Sequence, residues 1–367
     1  MPAWLGVPMS GVYGFELGRR NRRFDRGVGV IRLDRPVVSV GNLSVGGVGK
    51  TPMVARIVGW LRTADVWPCI AMRGYKAKGG ISDEAELHRR RFLERPTPVV
   101  AQPDRLAGLR ELFDGPEGRT IDAVVLDDGF QHRKIARDLD IVLLDATRPL
   151  SQLRLLPAGY WREPAKSLRR ADAVVITHAE LASEALLTQI EREVEQAWGA
   201  KPTAVARHQW KGLKIPGGGP DGGERRVGAD WLKGKSVVGL CGIGRPEGFL
   251  AELDRHAGEV VRAVTLSDHH ALDAKTLRAV GRHAERARAE AIVVTEKDWV
   301  KIEERAGALG ETPVVVAEMT MRFDRGGAAL ERQVLEACGV GNPVGERLGG
   351  PIERPILEAR TGLSASG

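Results

Sequence analysis

A chain of 367 residues, 43% hydrophobic and 28% charged, has the composition of a globular protein and the length for two domains with buried cores. Its net charge of +7 admits a nucleic-acid, membrane or phosphorylated partner without choosing among them. Cys69, Cys241 and Cys338 are odd in number, far apart and without a C-x-x-C pair; that suits a reducing compartment and leaves no thiolate metal site.

The first element is an apolar stretch, residues 1–18, with Trp4, Leu5, Val7, Met9, Val12, Tyr13, Phe15 and Leu17 interrupted by glycines. Arg19, Arg20, Arg22, Arg23 and Arg26 follow it. A secretory signal carries its positive charge before the apolar run, so this order is wrong for export. The run is also short and glycine-rich for a transmembrane helix, which needs roughly 20 apolar residues. Residues 1–32 are therefore expected to lie on an anionic membrane surface, rings at head-group depth and arginines on lipid phosphates. The alternative is a helix packed on the protein's own core, its arginines merely solvated. Nucleic acid is not expected as a partner, since only Phe24 lies among the arginines for base stacking.

From 33 to 210 the pattern alternates strand and helix, with strands expected at 36–40, 66–71, 97–101, 121–126, 139–144, 172–177 and 203–207. Helical spacing recurs around 52–63, 85–92, 105–113 and 181–197. Such alternation predicts an α/β fold with a mostly parallel sheet and ligands at the carboxyl ends of its strands. The Gly-rich residues 211–229 read as a linker, 230–338 as a smaller α/β domain, and 339–367 as a disordered tail.

Between the first strand and helix lies Ser44-Val45-Gly46-Gly47-Val48-Gly49-Lys50-Thr51. Glycines let backbone N–H groups turn onto an anion, a helix N-terminus adds partial positive charge, and a Lys reaches the outer phosphates. Thr51 would offer its hydroxyl to Mg²⁺. Ser44 stands where the first glycine of such a loop belongs, but strand, loop and helix together predict a P-loop NTPase-like core. The strand 121–126 ends in Asp127-Asp128, the carboxylates that such a fold sets opposite the cradle to hold Mg²⁺. Asp145 ends another strand without a supporting neighbour and reads as structural.

The nucleotide expected is ATP. Guanine readers use [NT]-K-x-D, whereas Thr295-Glu296-Lys297-Asp298 sets Lys and Asp side by side, and Asp127-Asp128-Gly129 lacks the D-x-x-G spacing of a γ-phosphate switch. Ser82-Asp83-Glu84 places carboxylates at a helix start, where one could orient a phosphoryl acceptor; a helix cap is the plainer reading. Asp268-His269-His270 ends a strand of the second domain, and two histidines alone do not make a metal site.

Several of these segments occur together and in order: Gly41 to Pro52, Arg73-Gly74-Tyr75, Ser82-Asp83-Glu84, Asp127-Asp128-Gly129-Phe130-Gln131-His132, Leu156-Pro157-Ala158-Gly159, Arg162-Glu163-Pro164, Gly242-Ile243-Gly244, Asp268-His269-His270 and Thr295-Glu296-Lys297-Asp298. In this the chain resembles the tetraacyldisaccharide 4′-kinase family of lipid A biosynthesis, from the N-terminal segment to about residue 323. The resemblance implies transfer of the γ-phosphate of ATP, with Mg²⁺, to the 4′-hydroxyl of a tetraacyldisaccharide 1-phosphate, giving lipid IVA. It also implies two α/β domains around a cleft and a peripheral enzyme on the cytoplasmic face of the inner membrane. By the same resemblance Lys50 and Thr51 are phosphate and Mg²⁺ contacts, and Asp83 is the catalytic carboxylate with His269 as its partner. Asp127, Asp128 and Glu163 are then acidic metal-site residues, and Arg162 a phosphate contact. Lys76-Ala77, Ser82 and Ala85 depart from the family pattern, which bears on the acceptor site. A P-loop kinase or ligase for a soluble metabolite, or a membrane-recruited nucleotide switch, are the competing readings.

Overall fold

The computed structural model describes residues 3–74, 82–93, 96–219, 221–266 and 272–341. The expected tail lies outside these residues from 342 onward, as do His269 and His270.

The chain opens with helix α1 (Ala3–Asp25) and enters the sheet at β1 (Val37–Asn42), followed by α2 (Lys50–Thr63), β2 (Pro68–Met72), α3 (Asp83–Arg91), β3 (Val99–Ala101) and α4 (Arg105–Asp114). Next come β4 (Ala123–Asp127), β5 (Leu139–Asp145), β6 (Ala173–Thr177), α5 (Glu184–Trp198), β7 (Ala204–Ile215) and β8 (Arg225–Val227). The remainder is β9 (Ser236–Cys241), α6 (Pro246–His256), β10 (Glu259–Thr265), α7 (Ala274–Arg286), β11 (Ala291–Thr295), α8 (Glu296–Ile302), β12 (Val314–Arg325) and α9 (Gly327–Ala337).

The strands among the described residues belong to one 12-stranded sheet in the order β10-β9-β11-β12-β7-β6-β5-β1-β4-β2-β3, with β8 on β7. Apart from the short antiparallel pair of β8 with β7, pairing is parallel on both sides of a central seam, where β12 and β7 run antiparallel from Val316↔Lys214 to Arg325↔Val205. The inner strands β1, β4, β5 and β6 are buried along their whole length because helices cover both faces, which is why they read as unbroken Val/Ile/Leu runs.

The seam differs from the expected division. The strand placed at 203–207 continues as β7 to Ile215, so the boundary at 210 falls inside a strand and the first five residues of the expected linker are sheet. Its partner β12 is equally long, from Val314 to Arg325. Both strands alternate apolar with polar residues after a short apolar start, and an apolar-run criterion stops where that alternation begins. The last helix also crosses the expected boundary. Leu330 and Val334 of α9 are fully buried in the core formed by Met53, Val54, Ile57 and Leu61 of α2 with β1 and β5. The second half has its own layers, with Phe249, Leu253, Val237 and Val293 on one face and Leu277, Val280, Ile292 and Val294 on the other.

Helix α1 lies along the segment 154–163. Its glycines permit the approach: a Cβ at Gly6 would sit 3.4 Å from Ala158 Cα, and one at Gly14 would sit 3.3 Å from Leu155 Cδ1. Ser10 Oγ donates to Leu155 O at 2.9 Å, and Tyr13 donates to Arg162 O at 2.9 Å. Val7, Val12 and Phe15 on its other side are 61–72% exposed. Among the described residues no helix is long and apolar enough to cross a membrane.

Candidate active site

The site is assembled where β1, β4 and β5 end side by side. A Cβ at Gly41 would lie 2.5 Å from Phe130 Cβ, so only glycine lets the turn after β4 close onto β1. Gly129 N–H then donates to Val40 O at 2.9 Å, fixing Asp127 and Asp128 beside the loop that follows β1.

That loop is pinned by its carbonyls. Ser44 O accepts from Asn42 Nδ2 (2.6 Å), Val45 O from Arg148 Nη1 (3.1 Å) and Val48 O from Thr177 Oγ1 (2.9 Å), while His178 Nε2 lies 3.1 Å from Gly47 O. In a trans peptide the N–H points opposite the C=O, so the N–H groups of Gly46, Val48 and Gly49 face away from these anchors. Gly46 (φ 108°) and Gly49 (φ 82°) hold left-handed backbone that a side chain would strain. Gly49 caps α2, which begins at Lys50, so the helix N-terminus opens onto the loop.

Two cations converge on one carboxylate here. Lys50 Nζ is 3.4 Å from Asp128 Oδ1 and 3.2 Å from Asn42 Oδ1, and Arg162 Nη1 is 2.9 and 3.1 Å from the two Asp128 oxygens. Burial alone would raise the Asp128 carboxyl, but the Lys50 and Arg162 charges outweigh it and hold the group below the ordinary range. Asp127 is buried with Oδ2 3.1 Å from Nε2 of the fully buried His88. Glu84 is pushed up by burial and by the Asp127 charge.

Asp83 is half-buried as the first residue of α3, the helix whose next turn carries His88. Its expected partner His269 lies outside the described residues. Further along α3, Arg91 pairs with Glu296 of α8, so this helix touches both halves of the molecule. Thr51 is half-buried in the first turn of α2.

Glu163 was expected among the metal ligands. It is fully buried, and its carboxylate accepts from Arg170 (3.0 and 3.2 Å), Gln131 Nε2 (3.2 Å) and Asn21 Nδ2 (3.1 Å). An ion at Glu163 would have to displace these bonds, so the geometry makes it the anchor of α1 and of the Gln131 turn behind the site. Asp127, Asp128 and Thr51 remain as a set of oxygen donors of the kind Mg²⁺ takes.

Asp298, in the segment that fails as a guanine reader, is buried and accepts from Thr295 Oγ1 (2.7 Å) and Gly242 N–H (2.8 Å), tying α8 to the end of β9. A cavity of about 730 Å³ opens elsewhere, lined by Arg62, Arg91, Lys211, Glu296 and Trp299; no residue of the phosphate loop lines it.

A family model described as Tetraacyldisaccharide-1-P 4′-kinase matches residues 2–338 of the chain. The chain belongs to the tetraacyldisaccharide 4′-kinase family. It is 37% identical over 329 residues to the tetraacyldisaccharide 4′-kinase of Anaeromyxobacter sp. (strain K), covering 85% of this chain and 84% of that one. With the enzyme of the same name from Chlorobaculum tepidum it shares 33% over 349 residues, 90% and 96% of the two chains. Among solved structures it is similar to LpxK from Aquifex aeolicus crystallised in complex with ATP, with a TM-score of 0.66, 29% identity and coverage of 92% and 99%.

Within this kinase family fold, Lys50, Thr51, Asp127, Asp128 and Arg162 lie around one loop, with Asp83 on the adjoining helix. Sequence reasoning assigned no role to Asn42, His88, Arg148 and His178, and named Glu84 only beside Asp83. Glu84 and His88 were signalled by their i,i+4 spacing, which puts both on one face of α3. Arg148 and His178 follow β5 and β6 and meet the loop only through sheet order, which no local pattern displays.

Proposed function

We propose that this chain is the kinase that moves the γ-phosphate of ATP to the 4′-hydroxyl of a tetraacyldisaccharide 1-phosphate, working at a membrane surface. Membership of the family supports the reaction. The observation that carries the mechanism is the convergence of Lys50 and Arg162 on Asp128 at the mouth of a glycine cradle. Asp128 orients both cations toward the mouth of the loop, so phosphate oxygens held there would meet them with little reorganisation.

On this reading the loop N–H groups and the α2 N-terminus hold the phosphates, and Lys50 and Arg162 neutralise charge gathering on the transferring group. Asp127, Asp128 and Thr51 would hold Mg²⁺, which supplies further charge neutralisation there. His88 orients Asp127. Asp83 would line up the sugar hydroxyl and accept its proton; with a loose transition state it needs no raised pKa to do so. The exposed Val7, Val12 and Phe15 of α1, with the arginines that follow, would rest on anionic lipid while the opposite face stays docked through Ser10, Tyr13 and Asn21.

The role of Asp83 is tested by Asp83→Ala. Transfer to the lipid should fall by about 10²–10³-fold with ATP affinity nearly unchanged. Loss of ATP affinity with turnover preserved at saturation would contradict it.

A further inference from the structure

Behind the phosphate loop, on the side away from Asp127 and Asp128, three side chains from two neighbouring strands face one another. His178 follows β6 in left-handed backbone (φ 58°), Glu180 lies in the turn after it, and His208 stands in β7. One ligand-capable atom from each lies within 4.8 Å of the others. We propose that His178, Glu180 and His208 form a binding site for one divalent transition-metal ion of the zinc type, distinct from the magnesium site of the nucleotide.

The first argument is distance. His178 Nδ1 and His208 Nδ1 each stand 3.4 Å from Glu180 Oε1. This is long for a charge-assisted hydrogen bond, which runs at about 2.7–2.9 Å. It equals the edge of a tetrahedron around zinc, since two ligands about 2.1 Å from the ion at the tetrahedral angle are about 3.4 Å apart.

The second is unsatisfied chemistry. His178 Nδ1, Glu180 Oε1 and both ring nitrogens of His208 are buried without a hydrogen-bond partner, whereas such atoms in native interiors nearly always have one. If His178 donates Nε2–H to Gly47 O, an unprotonated Nδ1 turns its lone pair toward a carboxylate oxygen, acceptor against acceptor. A cation between them removes the conflict.

The surroundings fit as well. The His178 contact to Gly47 O is the kind of outer bond that fixes the tautomer of a ligating histidine. Glu180 Oε2 accepts from His208 N–H at 3.0 Å, which orients Oε1 toward the rings. A Cβ at Gly49 would lie 2.4 Å from His208 Nε2, so the site presses on the phosphate loop at both Gly47 and Gly49. Two imidazoles and one carboxylate favour zinc, cobalt or nickel over Mg²⁺. A bound ion would brace the loop from behind.

The test uses the full chain, stripped with a chelator and titrated with Co²⁺ in excess Mg²⁺, which fills the oxygen-donor site. One equivalent should bind with the visible d–d bands of a four-coordinate ion, and Zn²⁺ should displace it. Glu180→Gln and His178→Asn, each checked for native circular dichroism, should weaken Co²⁺ binding by about 100-fold or more. Asp127→Asn should leave it unchanged. No stoichiometric binding to the wild-type chain, the same bands in folded Glu180→Gln, or bands lost in Asp127→Asn would each overturn the assignment.

Discussion

Asp128 is held in left-handed backbone (φ 54°), a conformation that costs a non-glycine residue energy and persists only where its surroundings impose it. The imposed carboxylate is what gathers Lys50 and Arg162 in one place. The neighbouring turn supplies a titration. His132 is pushed down to about 4 by burial and by Arg105 and Arg137. Its folded pKa lies below the unfolded value of about 6.5, so below that pH the unfolded chain takes up a proton that the folded chain refuses. The stability it contributes is complete above pH 6.5 and is lost as pH falls toward 4. Urea midpoints measured at pH 7.5 and pH 5 should therefore drop less in His132→Gln than in the wild type. Equal drops would contradict the assignment. At this scale the sequence was most informative where chemistry is local: Lys50 and Thr51 after the glycines, and Asp127-Asp128 at a strand end. Glu163 was placed with the metal ligands by resemblance alone, and only packing reveals Arg170, Gln131 and Asn21 around it.

Among the elements, α1 has the packed face of one reading of the N-terminal segment and, on its other side, exposed apolar residues that the proposed membrane contact would use. One face is bonded to residues 155–163 and the other is left apolar toward solvent. Val12→Glu with Phe15→Glu should reduce co-sedimentation with anionic vesicles by at least about tenfold, since each change removes an apolar contact and repels lipid phosphate. The melting temperature should stay within a degree or two, because neither residue is buried. Unchanged partitioning would remove the docking face. The parallel strands were legible because burial on both faces makes them continuous apolar runs. The antiparallel pair β7 and β12 was not, beyond its first residues: Arg207, Gln209 and Lys211 alternate with Ala206, His208 and Trp210, a period of two that a search for apolar runs passes over.

For the molecule as a whole, that pair decides the architecture. Two α/β halves were legible, but the sheet is continuous through the seam and α9 returns from the second half to pack on α2. Sequence distance hides such a return, since Leu330 and Ile57 share one core although they stand at opposite ends of the chain. Leu330→Ala should destabilise the chain by about 2–5 kcal/mol through the cavity it leaves. It should lower a single unfolding transition seen alike by circular dichroism and fluorescence. A variant in which one half melts separately while the other keeps its wild-type midpoint would contradict the shared core.

The most direct measurement of the central claim supplies γ-labelled ATP, Mg²⁺ and a tetraacyldisaccharide 1-phosphate in detergent to the wild-type chain and to Lys50→Ala. The account predicts label at the 4′ position of the lipid with the wild type and at least about 10²–10³-fold slower labelling with the variant. Label released only as free phosphate by the wild type, or equal lipid labelling by both proteins, would contradict it.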